Sequence, residues 1–512
     1  MVNHQSLSAI VVNTQQMRQI EERMFAEGMP VAALMEKAAL LMSARIQELY
    51  PLAQFPNVGV LVGPGHNGGD ALVIARELFL QGYQVLIYSP FDKLKELPHQ
   101  HFRYAQFLGI VITRDIEQLE SCDFLIDGLF GFGLTRPLSG RVAEAIQFIN
   151  QRSRSIVSID IPSGIHTDTG EVLGIAVQAT HSLCLGLWKL AYFQDQALPY
   201  LGKVDRIDFG IPASIVNEVL DPASLIQLVT PDLFQRSLPL PRPVLTHKYQ
   251  QGHLLLICGS RRYAGGAILT GLGARASGVG MLSIAVPESL KPLLVSHLPE
   301  ALILECPETE TGAIAELPDL AQDFAKYDVI AAGPGLTLDA LPIIEQVLTA
   351  PVPLILDADG LNALAQLGTN YLNQREQSTI LTPHLGEFRR LFPQIINPNH
   401  DRIQAVQQAA TQHQATVLFK GARTAIASPE GQIWLIPNST PALARGGSGD
   451  VLTGLMGGIL AQQSNHFQPL VQSVAVAAYW HAQAGLLAAK ERTELGVDAF
   501  TLSQYFIPAC QS

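Results

Sequence analysis

Cysteine is scarce in this chain. Its 512 residues include only 5, at positions 122, 184, 258, 306 and 510, scattered and without a C-x-x-C pair. A disulfide framework or a zinc site is therefore not expected, and a reducing compartment is favoured. Charge is sparse too, at 15% of residues, and positive charge is the weaker side: 33 Lys and Arg against 45 Asp and Glu, a net charge of -12. That balance argues against a nucleic-acid or anionic-membrane surface. It leaves phosphate ligands open, because backbone N–H groups bind them without basic side chains. No apolar run reaches the roughly 18 residues of a membrane span. The first residues lack a basic stretch ahead of an apolar one, so no signal peptide is expected. The three tryptophans, Trp188, Trp434 and Trp480, show no base-stacking pattern and are expected in cores. A soluble cytoplasmic enzyme is the expectation, with no nucleic-acid or membrane partner.

What is plentiful is apolar residues, at 48%, with 42 glycines and 32 prolines. Such a chain suits compact α/β units and not disorder. Its length exceeds one ordinary core, so about two to four domains are expected. Residues 14–49 have helical apolar spacing. Then short apolar runs, Val58–Val62, Val85–Tyr88, Phe124–Ile126 and Ile156–Ile159, alternate with glycine turns and helical stretches such as 70–81. That alternation is the signature of βαβ units and a mostly parallel sheet. It breaks near Pro239, Pro241 and Pro243, whose spacing favours an extended segment. It resumes with Leu254–Ile257, a helix over 264–277, then Val329–Ala332, Leu354–Leu356, Ile380–Leu381 and Val417–Phe419, before apolar helices at 450–462 and 469–489. The expected layout is a first domain over 1–225, a proline-rich linker over 226–243 and a second domain over 244–512. Both would be three-layer α/β/α folds with mostly parallel sheets.

In the first half, G-P-G-H-N-G-G-D (Gly63–Asp70) lies between a strand and a helix. Ligands of open α/β sheets bind beyond the carboxyl ends of the strands. Glycines admit the close approach of a phosphate, and a helix N-terminus favours its charge. A tight structural turn would also account for a glycine there, but needs only one. Two further strands end in aspartates, in D-G-L-F-G-F-G-L-T-R-P (Asp127–Pro137) and S-I-D-I-P-S-G (Ser158–Gly164). Each alone could be an Asx turn. Together with the loop they suggest a hard-cation site and an acid/base carboxylate.

In the second half, A-R-G-G-S-G-D-V-L (Ala444–Leu452) pairs a glycine cradle with Asp450 in the first turn of a helix. Backbone N–H groups of 446–449 would hold an anion, and the helix terminus would favour an ionised Asp450. A carboxylate beside a bound phosphate is suited to take a proton from an attacking hydroxyl. Simple helix capping by Asp450 is the alternative, and it leaves the three glycines unexplained.

These motifs carry two resemblances. Residues 14–215 resemble the NAD(P)H-hydrate epimerase family through the glycine loop, D-x-x-x-G-x-G and D-x-P-S-G in order. The resemblance implies hydrate binding by His66, Asn67, Gly68, Gly69, Asp70, Gly131, Phe132, Gly133, Leu134, Thr135, Arg136, Pro137 and Asp160. It implies a potassium ion on Asn67, Asp127 and Ser163, and Asp160 as the acid/base group. The family more often has asparagine where His66 stands, glycine where Ala71 stands, and M-E-N-A-G where this chain has Met35-Glu36-Lys37-Ala38-Ala39. Residues 235–505 resemble the ADP-dependent NAD(P)H-hydrate dehydratases, of ribokinase-like fold, through D-A-D-G-L-N (357–362), T-P-H-L-G-E (382–387), K-G-A-R-T (420–424) and G-G-S-G-D. That resemblance implies hydrate contacts at Ala267, Gly335, His384 and Asp450. It places the nucleotide on Lys420, Gly421, Ala422, Arg423, Thr424 and Gly449. Magnesium would assist, Asp450 would be catalytic, and Glu387 would either sit near the metal or cap a helix. ADP over ATP rests on this resemblance alone.

The implied activity is bifunctional: R and S hydrates of NADH and NADPH interconvert, and the S form is dehydrated with ADP to give AMP and phosphate. A homo-oligomer of undefined order is expected. The rival is a ribokinase-like kinase of a vitamin-precursor alcohol, fused to a nucleotide-binding but non-catalytic first half.

Overall fold

The computed structural model describes residues 5–152, 154–462 and 469–511. The chain divides into two compact units, Met1–Leu225 and Ile226–Ser512. Among the described residues no helix is long and apolar enough to cross a membrane.

The first unit is built on seven parallel strands in the order Val111–Thr113, Gln84–Tyr88, Asn57–Val62, Phe124–Gly128, Ser155–Ile159, His181–Leu185 and Lys203–Ile207. Alternation along the strands fills two cores. Val58, Val60, Val62, Phe124 and Ile126 enter one apolar cluster, and Leu61, Leu125 and Ile156 enter another on the opposite face. Both faces are thus covered, as parallel sheets require. The chain winds outward from Asn57–Val62 to one edge, then returns to lay Phe124–Gly128 on the other side. The order reverses between those two strands, and the crevice beyond their carboxyl ends is where such folds bind ligands. A short parallel pair, Ile10–Val12 with Trp188–Lys189, lies outside the seven-stranded sheet.

The second unit repeats the winding. Its order is Leu302–Cys306, Met281–Pro287, His253–Ile257, Val329–Ala332, Leu354–Leu356, Thr379–Leu381 and Thr416–Phe419, all parallel. Ala425–Ala427 and Ile433–Leu435 extend it antiparallel, and Ile226–Leu228 adds a parallel edge to the latter. The reversal falls between His253–Ile257 and Val329–Ala332. Helices Ala264–Ser277 and Ser448–Ala461 cross there almost backbone to backbone. A Cβ on Gly454 would collide with the Thr270 carbonyl oxygen, and one on Gly273 with that of Val451. The helix Leu470–Arg492 is buried on most of its faces, with Val474, Ala477, Ala484 and Ala488 inside, so its apolar character is core.

The stretch 226–243, expected as a linker, holds ordered elements. Ile226–Leu228 is a strand, and helix Pro231–Ser237, capped by Thr230, sets Phe234 against Tyr479 and Trp480 at ring distances of 5.3 and 5.9 Å. The proline alternation marks only 238–247, which carry neither helix nor strand and leave Val244 and Leu245 exposed. The cue was local, and the strand and helix before it are too short to show a periodicity.

Candidate active sites

In the first unit a cavity of about 750 Å³ opens at the crevice. Its wall includes His66, Asn67, Asp70, Gly131–Leu134, Arg136 and Asp160, so most of the expected contacts meet there. Gly68 and Gly69 lie behind it, in the first turn of helix His66–Leu80, where a Cβ would strike the Gly63 carbonyl and Met35. Thr135 and Pro137 fall outside the wall, on the exposed part of their loop.

Asp160 is held from every side. Its Oδ1 accepts from Lys189 Nζ at 2.6 Å and from Leu185 N at 3.3 Å, and its Oδ2 from Phe132 N at 3.0 Å. Tyr192 donates to its carbonyl. Its φ of 64° lies in the left-handed region, costly for a non-glycine residue and a common mark of a functional site. Lys189 is 1% exposed. Burial, the largest influence, works against its charge, but Asp160, Cys184 and Glu21 together outweigh it and raise its pKa. Two more carboxyls face the same space. Burial lifts Glu21 to about 7, with Asp160 adding repulsion against the pull of Lys189. Burial, then Asp160 and Glu21, lift Asp70 well above the carboxylate range.

Asp127 lies beneath, fully buried. It accepts from Ser158 Oγ (2.9 Å), Ser163 N (2.9 Å), Ser163 Oγ (2.6 Å) and Leu129 N (3.2 Å). Ser163 Oγ also meets Phe130 O at 3.1 Å. Across the loop, a Cβ on Gly131 would lie 2.8 Å from Asn67 Oδ1 and 3.3 Å from Asp160 Oδ2. Asn67 Nδ2 is buried without a hydrogen-bond partner among the described residues.

In the second unit Asp450 is the third residue of helix Ser448–Ala461. The N-cap is Gly447 at φ 88°, and no side chain caps this helix. Capping therefore does not account for Asp450. Its carboxyl is raised to about 7 by burial, then by repulsion from Asp357, with Lys420 opposing. A Cβ on Gly266 would lie 3.5 Å from both Asp450 Oδ2 and Gly335 N, which puts Asp450, Gly335 and the helix of Ala267 around one point.

Lys420 Nζ donates to Asp357 Oδ1 at 2.8 Å, and Thr382 and Thr453 hydroxyls complete that carboxylate at 2.8 Å each. Burial opposes ionisation of Asp357, but Lys420 and these donors prevail and hold it below its ordinary value. Gly449 faces the pair: a Cβ there would lie 3.4 Å from Lys420 Nζ and 3.7 Å from Asp357 Oδ2. Gly421 and Ala422 are exposed, and Arg423 and Thr424 half-buried, on the loop leading from Lys420. His384 is exposed at the head of helix Leu385–Leu391. It forms a capping box with Glu387, whose Oε2 accepts from His384 N at 2.8 Å. Glu387 Oε2 also lies 4.0 Å from Lys420 Nζ, so this cap borders the lysine site.

Several groups that complete these sites escape sequence reading: Lys189, Glu21, Thr453, His481 and Arg402. His481 Nε2 sits 3.2 Å from Ser448 Oγ and 3.0 Å from Ser448 O, under the glycine loop. Arg402 Nη2 donates to Lys420 O at 2.8 Å. Among the described residues no cluster of three His, Cys, Asp or Glu could hold a metal by itself.

Two family models match. Residues 254–508 match NAD(P)H-hydrate dehydratase, and residues 31–191 match the YjeF-related protein N-terminus. Among curated proteins, the bifunctional NAD(P)H-hydrate repair enzyme Nnr of Synechocystis sp. is 57% identical over 98% of this chain and 95% of its own. Proteins of the same name from Thermosynechococcus vestitus and Gloeobacter violaceus are 49% and 46% identical over 97% of both chains. Among solved structures, the ADP/ATP-dependent NAD(P)H-hydrate dehydratase of Bacillus subtilis, co-crystallised with ATP and Mg2+, is 33% identical. It covers 55% of this chain and 96% of its own, with a TM-score of 0.47.

Proposed function

The chain belongs to the family of bifunctional NAD(P)H-hydrate repair enzymes, and from that premise we propose how its two units share the work. It joins an epimerase domain to a dehydratase domain. The first unit would interconvert the R and S hydrates of NADH and NADPH. The second would return the S form to NADH or NADPH at the expense of ADP. One observation carries this reading: each unit sets a carboxylate, the buried Asp160 or the half-buried Asp450, against a glycine loop at its reversal of strand order.

In the first unit the two hydrates differ at one carbon bearing a hydroxyl and the ring nitrogen. Inversion requires that carbon to release a substituent and regain it on the other face. Asp160 would take and return the proton that this exchange moves. Lys189, Phe132 N and Leu185 N fix the carboxylate's direction. Gly131 leaves room for the substrate beside Asp160 and Asn67.

In the second unit Asp450, ionised, would remove the C6 hydroxyl proton of the hydrated ring. The freed oxygen attacks the β-phosphorus of ADP, and AMP leaves. The phosphate now on C6 departs as the nitrogen lone pair forms the C–N double bond of an iminium. Loss of the neighbouring ring proton then restores the dihydronicotinamide. Lys420 would offset charge on the transferring phosphate. Helix Ser448–Ala461 and the N–H groups of the glycine loop would hold it.

Two ions fit the donor sets. Potassium would be held by Asn67, Asp127 and Ser163, an all-oxygen group with the Phe130 carbonyl beside it. It would fix the loop against the hydrate. Magnesium is commonly held by one or two carboxylates plus substrate phosphates. That suits a site with no three-residue ligand cluster among the described residues, and Glu387, beside Lys420, and Asp359, whose charge reaches Asp450, are the carboxylates at hand. It would supply charge neutralisation at the diphosphate. Residence in the cytoplasm as a homo-oligomer completes the proposal.

Racemic NADH hydrate mixed with enzyme and ADP, followed by absorbance of the reduced ring, is the test. Full recovery is expected. Recovery that stops near half would mean a silent first unit. No recovery, with a phosphorylated alcohol made from another substrate, would mean a kinase.

A further inference from the structure

The crevice of the first unit continues past the hydrate cavity. Strand Gln84–Tyr88 neighbours Asn57–Val62, and the chain leaving its carboxyl end runs along 89–95. Lys95 N donates to Pro64 O at 2.9 Å, which ties this segment to the glycine loop. Lys93 and Leu94 line the main cavity and also a second one of about 590 Å³. That second cavity is walled by Phe91, Asp92, His99, Phe102 and Arg114 as well. Phe91 packs edge-on to Phe130 of the main cavity at 6.1 Å, so the two spaces adjoin.

In doubly wound dinucleotide folds, the segment after the second strand, about 20 residues past the glycine loop, meets the adenosine ribose. An acidic side chain there suits a free 2′-hydroxyl, and a basic one suits a 2′-phosphate. This chain carries both. Asp92 Oδ1 pairs with Arg114 at 2.7 Å, and both side chains are well exposed, so the pair is free to exchange partners. Ser89, the first residue past the strand, is 3% exposed, and its Oγ has no hydrogen-bond partner among the described residues.

We infer that the second cavity is the adenosine subsite of the epimerase, where Lys93 and Arg114 grip the 2′-phosphate of the NADPH hydrate and Asp92 accepts from the 2′-hydroxyl of the NADH hydrate. Arg114 leaves Asp92 for the phosphate in one case and stays on it in the other. One site thereby takes both substrates. The half-buried faces of Phe91 and Phe102 offer the base an apolar wall. The assignment rests on the first unit being the hydrate epimerase.

The test uses the full chain and both hydrates. Lys93→Gln and Arg114→Gln should each lower the ratio of kcat/KM for NADPH hydrate over NADH hydrate at least roughly tenfold, as loss of a charge-assisted contact does. Adenosine 2′,5′-bisphosphate should inhibit wild-type epimerisation competitively and better than 5′-AMP, and the variants should erase that preference. Asp92→Asn should move the ratio the other way. An unmoved ratio, or equal losses with both hydrates as a pyrophosphate contact would give, overturns the assignment. Failure of the wild type to epimerise NADH hydrate would instead overturn the underlying reading. Circular dichroism and thermal unfolding of the first unit report that each variant is folded.

Discussion

Lys189 and Asp160 form a buried ion pair, Nζ to Oδ1 at 2.6 Å, with 1% and 3% of their side chains exposed. An ion pair buried this deeply persists through mutual attraction and the backbone donors on the carboxylate. Removing one partner strands the other. Lys189→Met is expected to cost about 3–5 kcal/mol in unfolding of the first unit, and Asp160→Asn about the same, with the double variant closer to wild type than either. Differential scanning calorimetry of the three proteins checks this. Epimerase turnover separates the roles. Any variant lacking Asp160 should lose roughly 10²–10⁴-fold, and the double variant should not recover it.

On the proposed role, Asp450 should set the pH dependence of the second unit. Its carboxyl, raised to about 7, must be ionised to act as a base. The dehydratase rate should therefore climb as pH rises through about 7 and level off above it. Stability should move oppositely. A carboxyl whose pKa is raised by folding binds its proton more tightly in the native state, so its contribution is full below the ordinary 3.8 and is lost as pH rises toward 7. Asp450→Asn should remove both trends and lower turnover by about 10²–10⁴. Turnover near wild type in this variant would end the proposed role of Asp450. Rate and denaturant midpoint measured across pH 5 to 9 read the two trends.

The glycine loops and strand-end aspartates were legible because each is a local pattern: a turn, a close approach, a carboxylate at a strand terminus. Their partners were not. Lys189 lies 29 residues from Asp160 in a stretch, G-L-W-K-L-A, that reads as apolar, and Thr453 lies 96 residues from Asp357 inside an apolar helix. Only the winding of the sheet brings such pairs together. The left-handed backbone of Asp160 is likewise absent from composition, since aspartate adopts it only where its surroundings impose it. The strand His181–Leu185, H-S-L-C-L, gave no strand signal because its polar side chains are satisfied within the fold: Ser182 Oγ donates to Leu201 O at 2.7 Å. The proline alternation misled in the other direction. It is a strong local cue that marks a short irregular segment, while ordered elements of the second unit begin ahead of it.

Gly449 tests the proposed phosphate site without touching the chemistry. Its backbone suits any residue, and a Cβ would meet Lys420 Nζ at 3.4 Å and Asp357 Oδ2 at 3.7 Å. Gly449→Ala should fold and keep its melting temperature within a few degrees. It should raise the KM for ADP roughly tenfold or more, because the methyl group takes space the phosphate needs. Initial rates against ADP concentration decide it. An unchanged KM would place the phosphate elsewhere.

His481 underlies the same loop, and burial, its largest influence, depresses its pKa to about 4. It is neutral at physiological pH and holds Ser448 through both Oγ and the carbonyl. Two consequences separate it from a general base. Its neutral native form binds fewer protons than the unfolded chain, so stability should fall as pH drops from about 6.5 toward 4, and His481→Gln should flatten that slope. The glutamine amide can still donate to Ser448 O, whereas alanine cannot. His481→Ala should therefore raise the KM for ADP several-fold by loosening the loop, with glutamine restoring much of it. The rise of rate through pH 7 should be unmoved in both variants, because that limb belongs to Asp450. A shifted limb would make His481 part of the proton transfer itself.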